Sequence, residues 1–151
     1  SKPTVERWER SEDVIRGPIV PFLKMLQKYP EYEQEVKVPE KVWPLRIWYM
    51  YDQDVCTLID VNERERKVKI KNYTDKIMFR AFGVMEEPDY NQYIEFLESR
   101  CFPESRDKMK LILKDLGLPF YDPIMIIEKT EGRMAEDDFW IRLVQSRLYR
   151  I

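Results

Sequence analysis

Residues 45–71, LRIWYMYDQDVCTLIDVNERERKVKIK, decide the fold class. Three runs rich in aromatic and β-branched residues, LRIWYMY, VCTLIDV and RKVKIK, are separated by the short polar breaks Asp52-Gln53-Asp54 and Asn62-Glu63-Arg64. Residues of these types pack well on a pleated surface, and breaks this short fold the chain back beside itself, so the spacing predicts an antiparallel meander. In the third run Val68 and Ile70 alternate with Lys67, Lys69 and Lys71, giving one buried face and one lysine row. A lysine row is a common protection of an edge strand against pairing with another chain. Asp52 and Asp54 read as a turn between strands in preference to an oxygen-ligand cation site.

Working outward toward the N-terminus, IVPFLKMLQKY places Ile19, Phe22, Leu23 and Leu26 at helical spacing. Pro18 is tolerated in a first turn, where its missing N–H costs nothing, and Pro30 ends the helix after about ten residues. Ser1–Ile15 is highly charged around Val5 and Trp8 and reads as a short amphipathic helix or an ordered arm; EYEQEVKVPEKVWP is a polar connector.

Toward the C-terminus, NYTDKIMFRAFGVMEEP links the meander to a helical half. Tyr90, Tyr93, Ile94 and Leu97 form one apolar stripe on a polar helix. Ser105 is the expected N-cap of a second helix carrying Met109, Ile112, Leu113 and Leu116, with Asp107 favouring its positive end and Gly117 supplying the left-handed residue that ends it. Asp122-Pro123 caps a third short helix, IMIIEKT, ended by Gly132, and FWIRLVQSRLYRI is a closing strand or a short helix with a cationic tail. The expected architecture is therefore α+β: a small antiparallel sheet at about residues 45–71 packed with an N-terminal helix and a C-terminal group of three short helices. We read one domain, 1–151, made of an N-terminal helical arm (1–44), the meander (45–88) and a helical module with its closing segment (89–151).

A chain of 151 residues can bury roughly 68–70 % of the surface its unfolded form exposes, so one core suffices. Cys56 and Cys101 stand far apart without a CxxC pair, and no signal-peptide pattern opens the sequence; free thiols and a cytoplasmic location are the expectation. No apolar run approaches a membrane span. Twenty-six Lys and Arg against 28 Asp and Glu give a net charge of −2 with the signs interleaved, which is not the basic footprint of a phosphate-backbone binder, so direct nucleic-acid binding is not expected. Histidine is absent altogether, which excludes Ser-His-Asp, Cys-His and His-ligated zinc chemistry.

Each remaining constellation has a simpler reading. Glu136, Asp137 and Asp138, with Arg133 nearby, form a carboxylate cluster suited on paper to metal-assisted hydrolysis, yet no second acidic pair is spaced to converge on it, and a capped turn explains it. Arg100 precedes Cys101 and would lower a thiol pKa, but without histidine a cysteine at the apolar end of a helix is a packing residue. The four Trp and nine Tyr fall mostly at strand or stripe positions, as core residues or anchors of a protein interface. The four glycines never cluster, so no phosphate-binding loop exists. We expect no enzyme activity and no cofactor or metal.

The segments FLESRCFPESRDKMKLILKDLG, YDPIMIIEKTEGRM and EDDFWI resemble the N-terminal, non-kinase subdomain of HipA-type serine/threonine kinases. The likeness rests on Phe96-Leu97, Pro103, Ser105-Arg106, Leu113, Gly117, Ile126-Ile127, Gly132 and Trp140-Ile141, with the strands between Leu45 and Lys71 in the place of that family's small sheet. It covers about residues 45–141; the arm before Pro44 has no counterpart, and the kinase core, with its phosphate loop and catalytic Asp, is missing, so no catalytic residue carries over. What the resemblance implies is a stand-alone module similar to the small partner proteins of split HipA-type toxin-antitoxin systems, which bind and restrain a kinase. The expected function is a non-enzymatic, protein-binding regulator of a HipA-like kinase, with Arg106, Asp107, Asp122, Arg133, Asp137 and Asp138 as partner-binding residues. The alternative is a mobile-element inhibitor of a bacterial defence nuclease, of the anti-CRISPR kind, in keeping with small size and an acidic pI.

Overall fold

The three strand-like runs form strands β1 (Leu45–Tyr51), β2 (Asp54–Asn62) and β3 (Lys67–Asn72), joined by tight turns in which Asp52 and Arg66 adopt positive φ. The closing segment adds β4 (Phe139–Gln145), which resolves the strand-or-helix alternative, and the four strands form one antiparallel sheet in the order β3-β2-β1-β4. β3 is thus an edge strand, and its lysines lie where edge protection requires them. The computed structural model describes residues 19–29 and 37–145. The readings of Ser1–Ile15 as a helix or arm and of the cationic tail after Gln145 lie outside the described residues.

The chain divides into two units, Ser1–Pro39 and Glu40–Ile151. In the first, helix α1 spans Ile19–Lys28 as its spacing predicted. In the second, helices α2 (Tyr90–Ser99), α3 (Met109–Asp115) and α4 (Pro123–Thr130) follow the meander, giving the α+β architecture read from the sequence.

Strand register assigns the sheet's faces. Leu45, Ile47 and Tyr49 pair with Val61, Ile59 and Thr57 on one side and with Gln145, Leu143 and Ile141 on the other. The apolar members of this face join Tyr93, Phe96 and Leu97 of α2 and Ile127 of α4 in one core. A second cluster, Cys101, Leu113, Leu118 and Ile126, ties α3 to α4. Both cysteines are free and buried, as members of the two core clusters, and burial raises both thiol pKa values; Cys101 packs as read.

The face turned away from this core holds a charged pair at its centre. Arg46 and Asp60 stand opposite each other in the β1–β2 register, with Nε donating to Oδ1 at 2.6 Å and Nη2 to Oδ2 at 2.6 Å. They are only 5 % and 8 % exposed. The bidentate bond to Asp60 is the main reason the guanidinium pKa is raised.

The helix ends follow local chemistry, with one exception. Asp89 and Gln92 form a reciprocal capping box at the start of α2. Asp122 accepts from the Met125 N–H at 2.9 Å to cap α4, with Pro123 in its first turn. At the end of α3, Leu118 N–H donates to Leu113 C=O at 2.8 Å across Gly117 at φ +69°, a Schellman closure. The predicted Ser105 cap does not form: α3 begins only at Met109, after Lys108 in a left-handed conformation with no side-chain cap. The cause is a competing turn, in which the Arg106 N–H donates to the Pro103 carbonyl at 3.0 Å and diverts Ser105 and Asp107 from the helix.

Candidate protein-interaction surface

The surface is organised by Arg100, which follows α2 and is buried. Its Nε and Nη2 donate to the Gly132 carbonyl at 3.1 and 2.8 Å, Nη2 also reaches the Phe139 carbonyl at 3.0 Å, and Nη1 donates to Asp137 Oδ2 at 2.7 Å. One side chain therefore fastens the whole loop between α4 and β4. Gly is favoured at 132: its φ is +59°, and a Cβ there would lie 3.1 Å from Ile141 Cδ1, which would have to shift by a few tenths of an ångström.

With that loop fixed, three segments converge at one end of the sheet. The Asp52 N–H donates to the Asp138 carbonyl at 3.3 Å, and Trp140 Nε1 donates to the Asp52 carbonyl at 2.7 Å. The Arg133 guanidinium lies 5.2 Å from the Trp140 ring centroid while its Nε pairs with Glu131 at 3.0 Å. Tyr51, Asp52, Arg133, Asp138 and Trp140 line an open cleft of about 440 Å³. Its lining, two aromatic rings with charges of both signs, is the composition that protein interfaces favour.

Beside the cleft stands an apolar knuckle. The 3-10 turn Ile77–Phe79 is anchored by Phe79, whose ring packs edge-on against Tyr51 at 4.7 Å and tilted against Phe139 at 5.7 Å. Anchoring Phe79 leaves its neighbours outside: Met78 is 82 % exposed and Val84 72 %, with Ile77 and Met85 also exposed. The Ile77 side chain packs over Gly83, so the two ends of this segment meet. Exposed apolar residues gathered in this way mark an interaction site more often than a solvated surface.

The six residues singled out from sequence are distributed unequally. Arg133 and Asp138 meet at the cleft. Asp137 turns inward to Arg100, Asp122 caps α4, and Arg106 and Asp107 stand exposed before α3, with the Arg106 guanidinium 5.8 Å from the Phe102 centroid. Glu136, Asp137 and Asp138 are not gathered into a metal-holding group, and no set of three or more Cys, Asp or Glu side chains among the described residues is. Sequence reading missed the knuckle and the role of Arg100. The usable signal for the first was Ile77, Met78, Val84 and Met85 falling in a segment without helical or strand periodicity.

The Arg100 bond holds the Asp137 carboxyl below its ordinary pKa, with the Phe139 N–H adding to the effect. A depressed folded-state pKa contributes stability above the unfolded value of about 4, and that contribution is lost as pH falls through the lower folded value. Asp137→Asn should therefore cost about 1–2 kcal/mol at pH 7, with the difference from wild type shrinking as pH falls below about 4 in urea titrations. A pH-independent difference would show that the carboxylate charge is not involved.

Among the described residues no helix is long and apolar enough to cross a membrane. No protein-family model, curated protein or solved structure matches the chain.

Proposed function

We propose that this chain is a non-enzymatic regulator that acts by binding another protein through the knuckle and cleft at the Tyr51–Phe139 end of the sheet. The observation that carries the reading is Met78 and Val84, large apolar side chains exposed to solvent in a segment whose Phe79 and Phe82 pack inward. Adjacent Trp140, Tyr51 and Arg133 supply the aromatic and guanidinium anchors on which binding energy concentrates. The nature of the partner rests on the sequence resemblance alone, which favours a HipA-type kinase.

Inhibition of a nuclease by acidic mimicry of nucleic acid has less support, because the sheet face turned from the core carries Lys67 and Lys69 at its exposed edge. The test is affinity capture of the tagged protein from its host at moderate salt, with the retained proteins identified by mass spectrometry. Recovery of a HipA-like kinase supports the proposal in full, a nuclease replaces the partner, and recovery of no protein counts against a binding role.

A further inference from the structure

The sheet has two edges, β3 and β4, and the fold treats them differently. In an antiparallel ladder successive residues direct their N–H and C=O groups to opposite sides, so alternate residues of an edge strand point their main chain away from the sheet. On β4 these residues include Phe139 and Ile141, and both are engaged. The Phe139 N–H donates to Asp137 Oδ1 at 3.0 Å, its carbonyl accepts from Arg100 Nη2 at 3.0 Å, and the Ile141 N–H donates to the Glu131 carbonyl at 2.7 Å. The first half of that edge is closed by the loop that Arg100 holds.

The edge at β3 is open. The Tyr73 N–H donates to the Cys56 carbonyl at 2.9 Å, which continues the β2–β3 ladder and sets its phase: Lys67, Lys69 and Lys71 turn their main chain toward β2, while Val68 and Ile70 turn theirs outward. Neither Val68 nor Ile70 gives or receives an outward backbone bond among the described residues. Their side chains are half-buried against the core. On the opposite face Lys67 and Lys69 are exposed. Lys67 pairs with Glu65 at 2.6 Å, an exposed contact that another carboxylate can replace. Asp60, opposite Lys69, is occupied by Arg46, so Lys69 forms no ion pair among the described residues, and its ammonium lies 5.0 Å from the Trp43 ring centroid. Lys71 lies 4.9 Å from the Tyr73 centroid. These rings hold the ammonium groups without neutralising them.

Like charges directly opposite each other destabilise a pair of strands, so the lysine row repels a second copy of the same edge while leaving its main chain unblocked. The same row attracts a strand with carboxylates at alternate positions. Charge then selects the partner and the main chain of β3 supplies the bonds, the division found where a peptide adds to a sheet. We propose that β3 is the docking edge for an extended acidic segment of a partner protein. The segment adds antiparallel as a fifth strand, its carboxylates facing Lys67, Lys69 and Lys71 and its apolar residues covering Val68 and Ile70. This docking does not depend on the role assigned to the knuckle and cleft.

The probe is a seven-residue peptide of alternating Glu and Val, acetylated and amidated, titrated at pH 7 and low salt against the full chain. Saturable binding is expected, with hydrogen exchange of the Val68 and Ile70 amides slowed at least about tenfold. The same peptide with Lys in place of Glu should bind at least about tenfold more weakly. Methylating the peptide's Val nitrogens, which face β3 in this pairing, should abolish binding, whereas methylating its Glu nitrogens, which face away, should change affinity by less than about threefold. Lys69→Glu should weaken the acidic peptide about tenfold, because it replaces an attraction with a repulsion. Absence of saturable binding by the acidic peptide, equal affinity of the acidic and basic peptides, equal losses in the two methylated peptides, or unchanged exchange at Val68 and Ile70 would overturn the proposal.

Discussion

Asp60→Ala is expected to destabilise the protein by about 3–5 kcal/mol, the largest effect of any single change considered, because it leaves the Arg46 guanidinium buried without its counter-ion. The argument is one of asymmetry. Taking both charges out of water is costly, and the two 2.6 Å bonds across β1 and β2 roughly offset that cost. Removing one partner leaves the other's desolvation uncompensated. Replacing both, as Arg46→Met with Asp60→Leu, should therefore be neutral or stabilising despite two substitutions at the centre of the sheet. Urea unfolding followed by tryptophan fluorescence separates the cases, and an Asp60→Ala cost near 1 kcal/mol would mean that the pair is solvated rather than buried.

Gly132→Ala should cost roughly 3 kcal/mol, combining a left-handed backbone that disfavours any Cβ with the displacement of Ile141. The new methyl would sit 3.1 Å from Ile141 Cδ1, 3.3 Å from Ile141 Cγ1 and 3.5 Å from Arg100 Cβ. The Ile141 backbone is paired with Tyr49 inside the sheet and its side chain is buried, so the shift must come from its outer carbons, and the carbonyl of residue 132 receives two bonds from Arg100. Gly117→Ala is the matched control, since Gly117 has φ +69° but open space around its Cβ position. It should cost about 1–2 kcal/mol, the backbone share alone. Equal losses at the two positions would remove packing from the explanation.

Sequence revealed the parts of the molecule governed by local rules. Aromatic and β-branched content in LRIWYMY marked a strand, alternation in RKVKIK marked a strand and its inward face, and Asp122-Pro123 and Gly117 marked helix ends that the backbone respects. The Ser105 cap failed because capping rules see a residue's neighbours, whereas the turn closed by the Pro103 carbonyl outcompetes the cap. FWIRLVQ remained ambiguous because a short apolar run satisfies strand and helix alike until a partner strand, here β1, is known.

The interaction surface was harder to see. Arg133 and Asp138 were visible as charges, but the cleft exists because Arg100 pins a loop 32 residues away in sequence, a long-range contact that no spacing encodes. The knuckle depends on Phe79 choosing Tyr51 and Phe139 as its partners, which turns Ile77 and Met78 outward. Nothing in the composition of NYTDKIMFRAFGVMEEP distinguishes Phe79, Ala81 and Phe82, which reach the core, from Ile77, Met78, Val84 and Met85, which do not.

The most direct trial of a binding role for this end of the sheet compares partner retention by wild type, Met78→Asp, Arg133→Glu and the distant surface change Lys110→Glu under identical capture conditions. Met78→Asp and Arg133→Glu should each reduce retention of the partner by at least about tenfold, the loss of an interface anchor, while Lys110→Glu behaves as wild type. All four should show the same urea midpoint, because Met78, Arg133 and Lys110 are exposed. Retention of the same partner at wild-type levels by Met78→Asp and Arg133→Glu would contradict the assignment of the knuckle and cleft as the binding surface.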